Sequence, residues 1–135
     1  MFTITQIREA HAKVKSGADF PNYVQDLIKL GVERYENYVS DGHTLYQGGN
    51  GFNTQSGAKY ATLEIADPSD KLQFQKDLKE HQQGKTDYVT FCEISARSGV
   101  EKWVVDMSKM TCTYYDKTGN EMLLETIPVA GVNIQ

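Results

Sequence analysis

The chain repeats itself. Asp19-Phe20 and Asp87-Tyr88 open two stretches that stay in register at a spacing of 68 residues. They close on Gly31-Val32-Glu33-Arg34-Tyr35 and Gly99-Val100-Glu101-Lys102-Trp103, three identities and two conservative exchanges in five positions. A doubling of this kind restricts the fold strongly. Each copy alone is too short to bury a comfortable core, so the two must share one. For 135 residues the expectation is one domain, built from repeats 1–67 and 68–135, that buries roughly two-thirds of the surface of its unfolded chain.

Within the first copy, Ile4, Ile7, His11 and Val14 follow the spacing of an amphipathic helix. Thr3 and Gln6 fit a capping box, and Gly17 offers a cheap stop. A second helix begins near Asp19, with Pro21 in its first turn. Phe20, Tyr23, Val24, Leu27 and Leu30 form its apolar face, and Gly31 ends it. Residues 32–39 read as a strand, Ser40-Asp41-Gly42 as a tight turn, and 43–47 as the returning strand. A glycine-rich connection, 48–58, follows. Alternation of Ala61, Leu63 and Ile65 with Tyr60, Thr62 and Glu64 then predicts a third strand over 60–66.

Asp67-Pro68 reads as a helix N-cap followed by proline at the first helical position. Phe74, Leu78 and His81 match Ile7, His11 and Val14 at a spacing of 67, and Gly84 matches Gly17. Tyr88, Phe91 and Cys92 stand where Phe20, Tyr23 and Val24 stood. Strands are predicted over 100–106, 110–116 and 121–128, with a loosely held tail after Pro128. Thr113 and Tyr115 answer Thr44 and Tyr46 at a spacing of 69, whereas Leu124-Glu125 echoes Leu63-Glu64 at 61. That drop places about eight extra residues between the last two strands of the first copy. The sum is an α+β fold: two ααβββ repeats forming a six-stranded, mainly antiparallel sheet covered by four helices, with a pseudo-twofold axis.

Charge narrows the partners. Fourteen basic and eighteen acidic residues leave a net charge of −4, and each copy carries −2 (6 basic against 8 acidic, then 8 against 10). Without a clustered Lys/Arg footprint, nucleic acid is not an expected partner. Two cysteines, Cys92 and Cys112, do not make a disulfide framework. No apolar run is long enough for a membrane span, and Met1-Phe2-Thr3-Ile4 lacks the pattern of a secretory leader. A reduced, cytoplasmic setting is expected.

The candidate chemistry is sparse. His11 and His81 lie on apolar helix stripes, where packing is the commoner role, and no histidine pair has metal-ligand spacing. No metal and no cofactor is expected. His43 follows Asp41-Gly42 and precedes Tyr46, an arrangement that tunes an imidazole near neutrality. His43 and Asp41 are therefore the candidates for base and orienting group, although no catalytic residue is assigned. Cys92 and Cys112 point to the core, a poor setting for a nucleophile. Gly49-Asn50-Gly51-Phe52-Asn53-Thr54 resembles a truncated phosphate-binding loop, but it joins strands rather than feeding a helix. Tyr35 and Trp103 occupy matching strand positions facing the helices. Tyr38, Tyr46, Tyr60 and Tyr115 are expected to face outward, as a cross-strand ladder or a docking surface. Glu33 and Glu101 open matching strands and would lie across the pseudo-twofold axis, at a separation that the sequence does not fix.

The segments Gly31-Val32-Glu33-Arg34-Tyr35, Tyr46-Gln47-Gly48, 99–106 and 110–116 resemble a small bacterial and prophage family, the YbcV-like proteins. That family is labelled as of unknown function, or as phage envelope protein. The resemblance covers nearly the whole chain and implies no activity, substrate or catalytic residue; the envelope label implies a virion role. The leading expectation is a small binding or accessory protein without catalysis. Its ligand or partner, an unknown small molecule or protein, would dock at loop 48–58 and the adjacent strand, on His43, Tyr46, Asn50, Phe52, Asn53 and Tyr60. The alternatives are a hydrolase-like enzyme with His43 as base, and a homodimeric or larger phage-related structural component using the outward tyrosines.

Overall fold

The computed structural model describes residues 2–15 and 19–128. In chain order these form α1 (Ile4–His11), α2 (Phe20–Leu30), β1 (Val32–Tyr38), β2 (Thr44–Gly48), β3 (Asn53–Gln55), α3 (Lys71–Gln82), α4 (Tyr88–Arg97), β4 (Val100–Asp106), β5 (Thr111–Asp116) and β6 (Glu121–Thr126). The architecture is the expected α+β arrangement. Six strands form one sheet in the order β3-β2-β1-β4-β5-β6, and every neighbouring pair is antiparallel. The strand nearest the centre on each side, β1 and β4, follows directly from a helix.

Local chemistry sets the element ends. Gln6 N–H donates to Thr3 Oγ1, and Thr3 N–H donates back to Gln6 Oε1, completing the capping box of α1. Gly31 ends α2 at φ 100°, a conformation that costs a side-chain-bearing residue. Asp87 Oδ1 accepts the Thr90 N–H at 2.8 Å and so starts α4. The expected stop at Gly17 and the tail after Pro128 lie outside the described residues.

Three expectations are corrected. The third strand is not 60–66 but β3, three polar residues inside the glycine-rich connection. The hairpins β2–β3 and β5–β6 are consequently both joined by four residues, 49–52 and 117–120, and no insertion separates them. Residues 59–66 are instead an extended strap: Lys59 N–H bonds Asp41 O, Leu63 N–H bonds Ser40 O, and Ala66 N–H bonds Ala96 O. Alternation reports a half-buried extended chain, and it does not say whether another strand lies beside it.

The second correction concerns α3, which starts at Asp70 rather than Asp67; Asp70 Oδ1 accepts the Gln73 N–H at 3.0 Å. The preceding chain is held against the end of α4, where Asp70 N–H bonds Ser98 O. A Cβ on Gly99 would lie 2.9 Å from Pro68 O and from Ser69 Cα, so a glycine is required at that contact. The third is a register. Tyr35 pairs with Tyr46, and Trp103 pairs with Tyr114 rather than Tyr115. The spacing therefore stays at 68 through the second strand of each half.

All four helices pack on one face of the sheet, and the core lies between. Tyr23 of α2 meets Tyr35 of β1 at 6.4 Å between ring centroids, and Phe91 of α4 meets Trp103 of β4 at 5.7 Å. Phe74 of α3 meets Tyr114 of β5 at 4.9 Å and is fully buried. On the other face, Lys102 lies over the rings of Tyr38 and Tyr115 and pairs with Glu36 at 2.9 Å. Tyr38 and Tyr115 thus face outward as expected; Tyr46 does not, and is buried on the helix side. Among the described residues no helix is long and apolar enough to cross a membrane.

Candidate functional site

The residues singled out from sequence are spread over three places. Asp41 and His43 do meet: Asp41 Oδ1 lies 2.5 Å from His43 Nδ1 and accepts the His43 backbone N–H at 2.9 Å. The imidazole stacks on Tyr38 at 4.5 Å, on the outer side of the sheet. Asn50 is exposed in a single 3-10 turn, Gly49–Gly51, with φ 59°. Phe52 and Asn53 line a broad, open depression together with Arg34, Asp106 and Met107. Tyr60 donates its hydroxyl to Val39 O at 2.6 Å and so ties the strap to the end of β1.

The glycine-rich turn has a packing explanation. Phe2 sits beneath it, buried, with its ring edge-on to Phe52 at 4.8 Å. A Cβ on Gly48 would come within 2.7 Å of the Phe2 ring. Glu33 and Glu101 are not opposed either. Antiparallel pairing puts Glu33 beside Met107 and Glu101 beside Val39, at opposite ends of the β1–β4 ladder.

A cavity of about 320 Å³ opens between the helices and the sheet. Its lining falls into pairs 67 or 68 residues apart. His11 of α1 and Leu78 of α3 face it, as do Val14, beyond the end of α1, and His81 of α3. Tyr23 and Phe91 close it from α2 and α4. Tyr35 and Trp103, Tyr46 and Tyr114, and Thr44 and Cys112 form its floor on the sheet. Exposed Lys15, Lys59, Gln82 and Asp87 stand at its rim. Of the residues proposed from sequence, Tyr46 alone among His43, Tyr46, Asn50, Phe52, Asn53 and Tyr60 lines it.

Five lining residues, Asn37, Lys59, Thr86, Asp87 and Glu125, have no such counterpart in the lining. Asn37, on β1, is only 3% exposed, and its counterpart 68 positions on is Val105. Thr44 Oγ1 and Tyr88 OH both donate to Asn37 Oδ1, each at 2.9 Å. Asn37 Nδ2 is buried without any hydrogen-bond partner. Buried polar atoms are almost always paired, because an orphan costs about 1–3 kcal/mol. The signal for Asn37 was present in the sequence: an inward strand position polar in one copy and apolar in the other.

Burial sets the electrostatics here. It lowers the pKa of His11, and the nearby Lys59 ammonium lowers it further. His11 also meets the rings of Tyr23 and Tyr88 edge-on, at 5.2 and 6.0 Å. Burial lowers the pKa of His81 too, opposed by the Thr86 hydrogen bond and the Asp87 charge. His81 stacks flat on Phe91 at 4.2 Å. Lys59 is exposed overall, yet its ammonium lies over the Tyr88 ring at 5.3 Å, and desolvation there lowers its pKa. Burial pushes the Cys112 thiol up to about 12 and raises that of Cys92, so neither is a ready nucleophile. Among the described residues no three His, Cys, Asp or Glu side chains are grouped to hold a metal ion. What the arrangement can do is enclose a small molecule in aromatic walls and offer it hydrogen-bond donors.

The model of a family described as a protein of unknown function, DUF1398, matches residues 8–126. No curated protein matches the chain.

Proposed function

The chain belongs to the DUF1398 family of proteins of unknown function, and we propose that it is a small-molecule-binding protein whose ligand occupies the cavity between helices and sheet. One observation carries this: a partly open cavity with eight aromatic rings in its lining is also lined by Asn37, a buried amide whose Nδ2 has no hydrogen-bond partner. A cavity of about 320 Å³ sits at the lower end of the range of small-molecule sites, roughly 300–1,000 Å³. A fold closed by apolar packing alone has no use for such an amide, whereas a ligand acceptor completes it.

The matched lining supports a duplicated origin, with a pseudo-twofold axis through the cavity. Two copies of one unit closed on each other, and one copy then acquired polar residues. Binding without chemistry is the favoured role, because both thiols are held protonated by burial and the Asp41–His43 pair lines neither cavity. Tyr46 is the ligand contact that this assignment shares with the glycine-rich loop and its strand.

The test is a fragment screen by thermal shift, repeated on Val14→Trp, which places an indole in the cavity from a partly buried position beyond the end of α1. Fragments that stabilise the parent protein are expected to lose their effect in the variant, whose circular dichroism stays unchanged. Hits that survive in a folded Val14→Trp protein place the site elsewhere.

A further inference from the structure

We infer that the cavity takes a small aromatic monocarboxylate, whose carboxylate is received by the Lys59 ammonium beside Tyr88. This rests on the assignment of the cavity as a ligand site and adds the chemical class. Tyr88 is held in place by its hydroxyl bond to Asn37, and the Lys59 ammonium lies 5.3 Å from the centroid of its ring.

Charge decides the sign of the ligand. Lys59 forms no ion pair with any described carboxylate, and it sits where burial has stripped part of its hydration. The carboxylates on the opposite side are already engaged. Asp87 caps α4 through the Thr90 N–H, and Glu125 accepts the Gln82 amide at 3.0 Å. Those carboxylates keep their charge, so an anion is drawn to the Lys59 end of the cavity and away from Asp87 and Glu125. Charge-assisted hydrogen bonds in a partly desolvated site are about twice as strong as neutral ones. Beyond this polar end the walls are rings, including Tyr35, Phe91 and Trp103, which favour an aromatic body in edge-to-face contact. A bare inorganic anion would leave that chamber unfilled.

Three isosteric probes separate the possibilities: phenylacetate, phenylacetamide and phenethylamine, each titrated by isothermal calorimetry and followed by amide chemical-shift mapping. Phenylacetate is expected to bind and to shift residues of β1, β4 and α4. Phenylacetamide should bind roughly ten-fold more weakly, and phenethylamine not detectably. In Lys59→Met, an exchange at an exposed residue that leaves the core intact, phenylacetate should fall to the affinity of the amide while the amide is unchanged. Asn37→Leu should weaken both. Equal affinity for acid and amide, with both lost in Val14→Trp, overturns the carboxylate assignment and leaves the cavity assignment standing. Binding that Val14→Trp does not disturb overturns both, as does the absence of binding by all three probes.

Discussion

The two halves close the same sheet with different materials. At matched inward positions the second half places Phe74, Phe91, Trp103 and Tyr114, with ring centroids 4.9 to 6.0 Å apart along the cluster. The first half places Ile7, Tyr23, Tyr35 and Tyr46, three of the four carrying hydroxyls. The strand pair Asn37–Thr44 of the first half is Val105–Cys112 in the second. Both pairs are buried, so the frame accepts an apolar pair at this place and does not itself demand a polar one. On the proposed assignment, the second half supplies the ring packing and the first half the polar groups that would meet a ligand.

The division can be broken most directly in the aromatic cluster. Phe74→Ala removes a fully buried ring and is expected to cost about 3–5 kcal/mol. Tyr23→Phe, on the opposite half, keeps the ring and loses one hydroxyl, for a change of about 1 kcal/mol or less. Urea denaturation of both variants gives the comparison. A Tyr23→Phe protein as damaged as Phe74→Ala would place structural weight on the hydroxyls and end the division.

A sharper test exchanges the strand pair itself. Asn37→Val alone strands the hydroxyls of Thr44 and Tyr88 and is expected to cost about 1–2 kcal/mol. Adding Thr44→Cys reproduces the second-half pair, removes one stranded hydroxyl, and should return stability to within about 1 kcal/mol of the parent. Ligand binding is not expected to return. A double variant less stable than the sum of its single exchanges shows that the two places are not interchangeable.

Much of this frame was legible in the sequence, and for identifiable reasons. Thr3 with Gln6, Gly31 and Asp87 are short-range signals whose chemistry acts within four residues, and each does what its type dictates. The matching of Tyr35 with Trp103 holds because a glycine of positive φ, Gly31 or Gly99, stands directly before both strands. The third strand was not legible. Asn53-Thr54-Gln55 is a polar edge that pairs through its backbone alone and leaves no apolar alternation. Residues 60–66 alternate because Ile65 is buried and Leu63 half-buried under a strap, and not because a strand lies beside them. The cavity was least legible, since it depends on which residues from nine elements converge. His11 and His81 were read rightly as packing residues, yet the same burial makes them walls of the site. The inset polarity of Asn37 against Val105 stands at the 68-residue spacing of Tyr35 and Trp103, but only the side-chain bonds of Asn37 give it meaning.

Those two histidines give the smallest expected effect and the finest comparison between halves. Both imidazoles have a folded pKa below their ordinary 6.5. Above that value the rings are neutral in the folded and unfolded chains, and their contribution to stability is complete. As the pH falls through 6.5, the unfolded chain takes up protons that the folded chain resists, so stability declines until the folded rings also titrate. The decline should precede the carboxylate region and be visible in urea midpoints between neutral and mildly acid pH. The halves should contribute unequally. At His11 the Lys59 charge adds to burial, whereas at His81 Asp87 and Thr86 work against it. His11→Gln should therefore flatten the acid slope more than His81→Gln, and Lys59→Met should flatten it partway without touching either ring. Equal slopes for the two histidine variants would mean that Lys59 does not act on the cavity, and would weaken its assignment as the group that receives a carboxylate there.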